Sequence, residues 1–241
     1  MHAKSKLQRK LKTTALSAAM AVSAIAAPLA SMPAMTASAG DTDNYAKLLQ
    51  YSMYFYDANM CGSQVAEKSG MTCRGNCHTS DSVDCGFHDA GDHAIFGLPQ
   101  GYTASTLGWG YYEFKDSYDS LGLTEHYRTI ADYFAAFFKN STKLSGDSVS
   151  SFCYQLGDGN VDHSYWNTPE AQEQQQGVQK EYWTSSTASD IAAEYAAALA
   201  INYINFGNEE DLKYAKALLN YATRVLSLIH ISEPTRRVVI S

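Results

Sequence analysis

The chain has 241 residues, 45% hydrophobic and 18% charged, with a formal charge of −7. That composition is neither disordered nor collagen-like. Five basic residues (Lys4, Lys6, Arg9, Lys10, Lys12) fall in the first 39 positions, which hold no acidic residue, so the remainder carries −12 and keeps no basic cluster. A chain of that charge is not built to hold a phosphate backbone, and nucleic acid is excluded as a partner.

Residues 1–39 read as a secretory signal: a basic stretch through Lys12, an apolar run from Ala15 to Leu29, and Ala37-Ser38-Ala39 as a small-residue cleavage site. The competing reading is a membrane anchor, but the run is short and rich in Ala and Ser for a span, and no later segment reaches 18 apolar residues. The mature protein is expected to be secreted, extracellular, monomeric and free of membrane partners.

Asp43 to Ala58 has a helical stripe of Tyr45, Leu48, Leu49, Ser52 and Phe55. Residues 59–96 are polar, rich in Gly and Cys and without a sustained period; a loop that long is usually functional or is held by a metal or disulfides. Helices are predicted near 101–118 and 124–138, and residues 141–179 are again irregular. Thr187 to Phe206 reads as a helix apolar nearly all round, with Thr187 and Asp190 imitating a capping box and Gly207 as its stop. The last helix covers 209–225, acidic in its first turn, with Leu212, Ala215, Leu219 and Ala222 on one face. No segment shows useful strand alternation. Residues 226–241 lose the helical period, and Leu226 to Arg236 resembles a translated sequencing adapter. These residues are read as a non-native tail, with a genuine terminal strand as the alternative.

The densest chemistry lies in Gly86-Phe87-His88-Asp89-Ala90-Gly91-Asp92-His93, followed by Phe96-Gly97-Leu98-Pro99. Two carboxylates three apart can converge on one water, one taking its proton while the other orients it. Asp-x-Gly-Asp alone is also common turn chemistry. A second segment, Tyr154 to Trp166, contains Gly157-Asp158-Gly159-Asn160 and Asp162-His163. It suits a sugar-binding loop, with His163 and Trp166 beside several hydrogen-bonding groups; the alternative is a His and a Trp packed under the loop.

Together, Asn44-Tyr45-Ala46, Phe55-Tyr56-Asp57-Ala58, the Asp89–His93 motif with its Phe-Gly-Leu-Pro sequel, and the Gly-Asp-Gly-Asn…Asp-His segment resemble glycoside hydrolase family 9. These are the inverting cellulases with an all-α (α/α)6 barrel. The resemblance runs from about Asn44 to Arg224, so residues 40–225 would be roughly the first half of a catalytic domain. It implies endoglucanase chemistry on β-1,4-glucan. Asp92 would be the general base and Asp89 would help bind the attacking water, while His163 and Trp166 would contact glucosyl units. The family's general acid is a Glu near the end of the catalytic domain, and nothing here matches it. The alternatives are an inactive fragment that binds cello-oligosaccharide and a zinc-stabilised structural module.

Five cysteines in an exported chain suggest disulfides, and their odd number leaves at least one for another task. Cys61, Cys77, His78 and His88 are donors of the types that suit tetrahedral zinc. The family resemblance strengthens this, because some members carry a structural zinc at these positions, where it would rigidify the loop presenting Asp89 and Asp92. The alternative is a Cys61–Cys77 disulfide with both histidines merely packed. Cys73 and Cys85 could pair, and Cys153 suits a buried free thiol. The family's calcium site lies beyond Arg224 and is not assigned.

Overall fold

The computed structural model describes residues 44–232, so the expected leader over 1–39 and the last nine residues of the tail lie outside the described residues. The chain divides into two units, Met1–Asn44 and Tyr45–Ser241, and every described element belongs to the second. Its elements are α1 (Tyr45–Asn59), α2 (Val65–Lys68), β1 (Ile95–Phe96), α3 (Gly97–Ser120), α4 (Thr124–Asn140), β2 (Thr142–Ser145), β3 (Ser148–Leu156), α5 (Gly159–Asp162), α6 (Pro169–Gln176), β4 (Glu181–Thr184), α7 (Ser189–Phe206) and α8 (Glu209–Ser232). None of the described helices is long and apolar enough to cross a membrane.

The centre of the unit is α7. Its buried Ala192, Tyr195, Ala196, Leu199 and Ile201 meet α3, α4 and α8 on different sides, which explains a helix with so little polar face. α3 approaches it closely because glycine replaces side chains along the contact. A Cβ on Gly101 would lie 2.5 Å from the Cβ of Glu194, and one on Gly108, two turns later, would run into Ile201. α4 turns Tyr127, Ile130, Phe134, Phe137 and Phe138 into the same core.

Several expectations need correction. α3 starts at Gly97 rather than near 101; Pro99 is tolerated there because the first helical N–H groups have no partner within the helix. In α1 the stripe of Tyr45, Leu48 and Phe55 is exposed, and the chain instead packs through Met53, Asp57 and the partly buried Leu49 and Tyr56. α7 has no Thr187 cap: Ala188 takes the cap position in the left-handed region, while the Thr187 carbonyl accepts from Tyr221 Oη at 2.9 Å. Its end at Gly207, φ 75°, is as expected. In α8 the core residue is Leu218, with Leu219 outside, and the backbone stays helical past residue 225 to Ser232.

A four-stranded antiparallel sheet also forms where no strand was expected. β3 is its spine, pairing with β2, β1 and β4. Its burial does not alternate, because both edges are paired and helices pack beside it; Phe152 and Cys153, neighbours in sequence, are both buried. The sheet matters to function through one short pairing. Ile95 opposes Leu156 and Phe96 opposes Gln155, so the segment ending in His93 is drawn alongside the segment beginning at Gly157. Gly157, φ 83°, permits the approach, since a Cβ there would press on Ala94 at 3.2 Å.

Candidate active site

The loop carrying the paired acids is fastened first through its backbone. Cys61 N–H donates to the Gly86 carbonyl at 2.9 Å, His88 N–H to the Asn59 carbonyl at 2.8 Å, and Gln100 Nε2 to the Phe87 carbonyl at 2.8 Å. Phe87 is buried and stacks on Phe134 with centroids 4.0 Å apart. Beyond this anchor the chain turns outward, and Asp89 N–H donates to the Ala94 carbonyl at 3.0 Å, closing the turn that displays both acids.

Asp92 and His163 meet across the gap between the two segments, with His163 Nδ1 3.1 Å from Asp92 Oδ2. The Asp92 side chain is largely covered, whereas His163 is 67% exposed. The second oxygen, Asp92 Oδ1, is buried and receives no hydrogen bond from the described residues. Asp89 lies at the surface, and partial desolvation together with the neighbouring Asp92 charge pushes its carboxyl above the usual range. Trp166 stands 80% exposed just beyond α5, so its ring is not packed under the loop. The structure thus brings Asp89, Asp92 and His163 together on one rim.

Behind this rim lie residues the sequence did not single out. Asp162 is buried and its Oδ1 accepts from His93 N–H at 2.6 Å. Gln172, also buried, donates from Nε2 to Asp162 Oδ2 at 3.0 Å and accepts from His93 Nδ1 at 2.8 Å. Gln179 Nε2 donates to the His93 carbonyl at 3.0 Å. The available sequence signal was the pairing of Asp162 with His163, since a carboxylate beside a site histidine is seldom idle. The long loop is stapled to the same region by acids of α6 and β4: Glu170 takes Arg74 Nε at 2.9 Å and Gly75 N–H at 3.0 Å, Glu173 takes Thr79 N–H at 2.9 Å, and Glu181 takes Ser82 N–H at 3.1 Å.

Cys61, Cys77 and His88 converge under the loop, their donor atoms within 4.8 Å of one another, and all three are buried. Cys77 Sγ is 4.0 Å from His88 Nε2. A hydrogen bond between the two sulfurs raises Cys61 well above the ordinary thiol range and lowers Cys77. Burial, and then the neighbouring imidazoles, hold His88 well below its usual range and keep it neutral, the form that ligates. His78 is outside the converging set. It is buried with φ 52°, its ring 5.9 Å from that of His88, and neither of its nitrogens has a hydrogen-bond partner among the described residues. Soft thiols, a neutral imidazole and, beside them, the His78 imidazole, whose Nδ1 lies 3.9 Å from Asp81 Oδ2, fit a zinc donor set. All five cysteines are free thiols, so neither a Cys61–Cys77 nor a Cys73–Cys85 bridge is formed. Cys73 is exposed; Cys85 and Cys153 are buried, and burial pushes their thiols up to about 12 and about 11.

Comparison with known proteins identifies the family. The family model described as Glycosyl hydrolase family 9 matches residues 45–237. Endoglucanase B of Cellulomonas fimi is 34% identical over 217 residues, covering 86% of this chain and 19% of that protein. Endoglucanase A of Bacillus pumilus is 34% identical over 192 residues, covering 76% and 28%. Among solved structures, the catalytic domain of Clostridium thermocellum CelT superposes with TM-score 0.71 at 40% identity, covering 75% of this chain and 44% of that one. The cellulase Cel9M of C. cellulolyticum, solved with cellobiose, gives 0.67 at 41% identity, covering 78% and 44%. The chain therefore spans less than half the length of these relatives, and its helices form part of an (α/α)6 toroid. The chain belongs to glycosyl hydrolase family 9.

Proposed function

We propose that this segment carries the water-activating half of an inverting β-1,4-glucan hydrolase, acting on cellulose or a related β-glucan after export directed by residues 1–39. The observation that carries the reading is the state of the Asp92 carboxylate. One oxygen is held by His163, and the other is buried with no donor among the described residues. A carboxylate held at one oxygen and free at the other can accept a proton from a water without reorienting. Asp89 orients that water from the other side. His163 and the outstanding Trp166 meet the glucosyl unit, the aromatic face stacking on a pyranose ring.

Inversion also requires a carboxylic acid about 6.5–9.5 Å from the base to protonate the leaving oxygen. In the family this is a Glu near the end of the catalytic domain, and no residue of this chain is assigned to it. Cys61, Cys77, His88 and, after a rotation of its ring, His78 would hold a structural zinc. The metal would stiffen the loop that presents the acids and take no part in the displacement.

The test is hydrolysis of soluble β-1,4-glucan by a complete catalytic domain carrying this segment, followed by proton NMR. The α-anomer appears first, and Asp92→Ala abolishes release of reducing ends. Initial release of the β-anomer, or substantial activity in Asp92→Ala, overturns the assignment. Cellotetraose binding without turnover in the complete domain would favour a binding module instead.

A further inference from the structure

We infer that Asp162 is the positioning residue for the acid pair, acting through His93. The inference rests on Asp92 being the site carboxylate and goes beyond it by naming what fixes its place. Two dipeptides face each other across the site: His163 holds Asp92, while Asp162 holds His93. His93 is gripped at three separate atoms, its N–H by Asp162, its Nδ1 by Gln172 and its carbonyl by Gln179. Asp92 is covalently joined to that fixed point and Asp89 lies four residues before it, so the clamp sets where both carboxylates stand.

The hydrogen bonds at position 162 set the tautomer of His93. Both Asp162 oxygens accept, so Gln172 turns its amide nitrogen toward Asp162 and its oxygen toward His93. That in turn places the His93 proton on Nδ1. Asp162 is buried, so the penalty for leaving His93 N–H without an acceptor is large and the loop cannot exchange the bond for water. His93 N–H takes one oxygen and Gln172 Nε2 the other, with Gln179 Nε2 at 3.5 Å from that second oxygen, which leaves the carboxyl group committed to the clamp.

The experiment follows the histidine ring resonances of the 241-residue chain by 15N-labelled NMR. Asp92→Ala marks where the His163 ring signals lie once its pairing with Asp92 is lost. In Asp162→Ala the His163 signals are expected to move to those same positions. In Asp162→Asn the oxygen can still accept from His93 N–H, so the His163 signals stay near their original place. There Gln172 must reverse, and the His93 ring changes tautomer. His163 signals unmoved in Asp162→Ala, or displaced equally by Asn and Ala, overturn the inference. If Asp162→Ala does not fold, the unaltered chain decides: the His93 amide should resonate at low field and exchange slowly, and rapid exchange overturns the clamp. Activity of Asp92→Asn in a complete domain would remove the base assignment while leaving the clamp standing, so the two readings fail separately.

Discussion

Gly101 and Glu194 touch where α3 crosses α7, so closely that a Cβ on the glycine would lie 2.5 Å from the Cβ of the glutamate. Neither atom sits at the end of a flexible side chain, so the helices themselves must separate if the glycine is replaced. Gly101→Ala is expected to destabilise the fold by about 1–3 kcal/mol through overpacking. Gly110, on the same helix, meets nothing within 4 Å. Gly110→Ala should therefore stabilise by about 0.5–1 kcal/mol, as for any open helical glycine. Thermal melting checks both, with roughly 2–4 °C expected per kcal/mol for a chain of this size. Equal effects of the two changes would contradict the packing described.

Lys139 reaches from α4 to the fully buried Asp211 of α8 at 2.8 Å and to Glu210 at 3.0 Å. Desolvation lowers the lysine's pKa, but its hydrogen bonds to Asp211 and Glu210 outweigh that and raise it above 10.5. The sign is therefore fixed: stability from this pair is complete below the unfolded lysine value of 10.5 and is lost as pH rises through the higher folded value. Lys139→Met leaves Asp211 buried with Asn202 as its remaining partner and should cost about 3–5 kcal/mol. Denaturant unfolding at pH 7 and again above about pH 11 checks both statements, because the difference between the two proteins should shrink at the higher pH.

About one zinc per chain is expected on elemental analysis of protein purified without chelator. Cys77→Ser should remove it, and His78→Ala should weaken its retention against a competing chelator. Metal removal should lower the melting temperature and loosen the amides of residues 86–93 in hydrogen exchange, since that loop is fastened at Cys61 and His88. Full protection of those amides in metal-free protein would contradict a stiffening role.

Trp166 should separate binding from stability. With its ring in solvent, Trp166→Ala should change unfolding free energy by no more than about 0.5 kcal/mol. Its effect should appear as weaker cello-oligosaccharide binding by calorimetry. Unchanged affinity would remove it from the sugar surface.

Asp89→Asn retains the shape of the loop and removes the charge that faces Asp92. In a complete catalytic domain kcat should fall by about 10²–10⁴ if the residue shares in handling the attacking proton. A change in KM alone would assign it to binding.

The paired acids were legible in the sequence because they depend on local order, Asp89, Gly91 and Asp92 within one turn; Cys61, Cys77 and His88 converge only in the fold, and His78, beside Cys77 in sequence, stays outside that set. The helices of the core were legible through their period. The clamp was not, because the partnership of Asp162 with His93 exists only once β1 has paired with β3, and β3 shows no alternation to announce itself. α1 misled for a related reason. Its sequence offers two apolar stripes, and only tertiary packing selects Met53 and Tyr56 over Leu48 and Phe55.

The pairing of Ile95 with Leu156 has a consequence for how this segment can vary in length. Strand side chains alternate faces, so a slip of one residue would exchange inside for outside and displace one segment by about 3.4 Å along the other. That displacement exceeds the tolerance of the 3.1 Å contact between Asp92 and His163. A single inserted residue between Asp92 and Ile95, or between Leu156 and Asp162, should therefore be as damaging as losing a carboxylate. An insertion at the open turn of Gly146 and Asp147, at the far end of the same sheet, should pass almost unnoticed. The sheet acts as a length gauge for the chemistry.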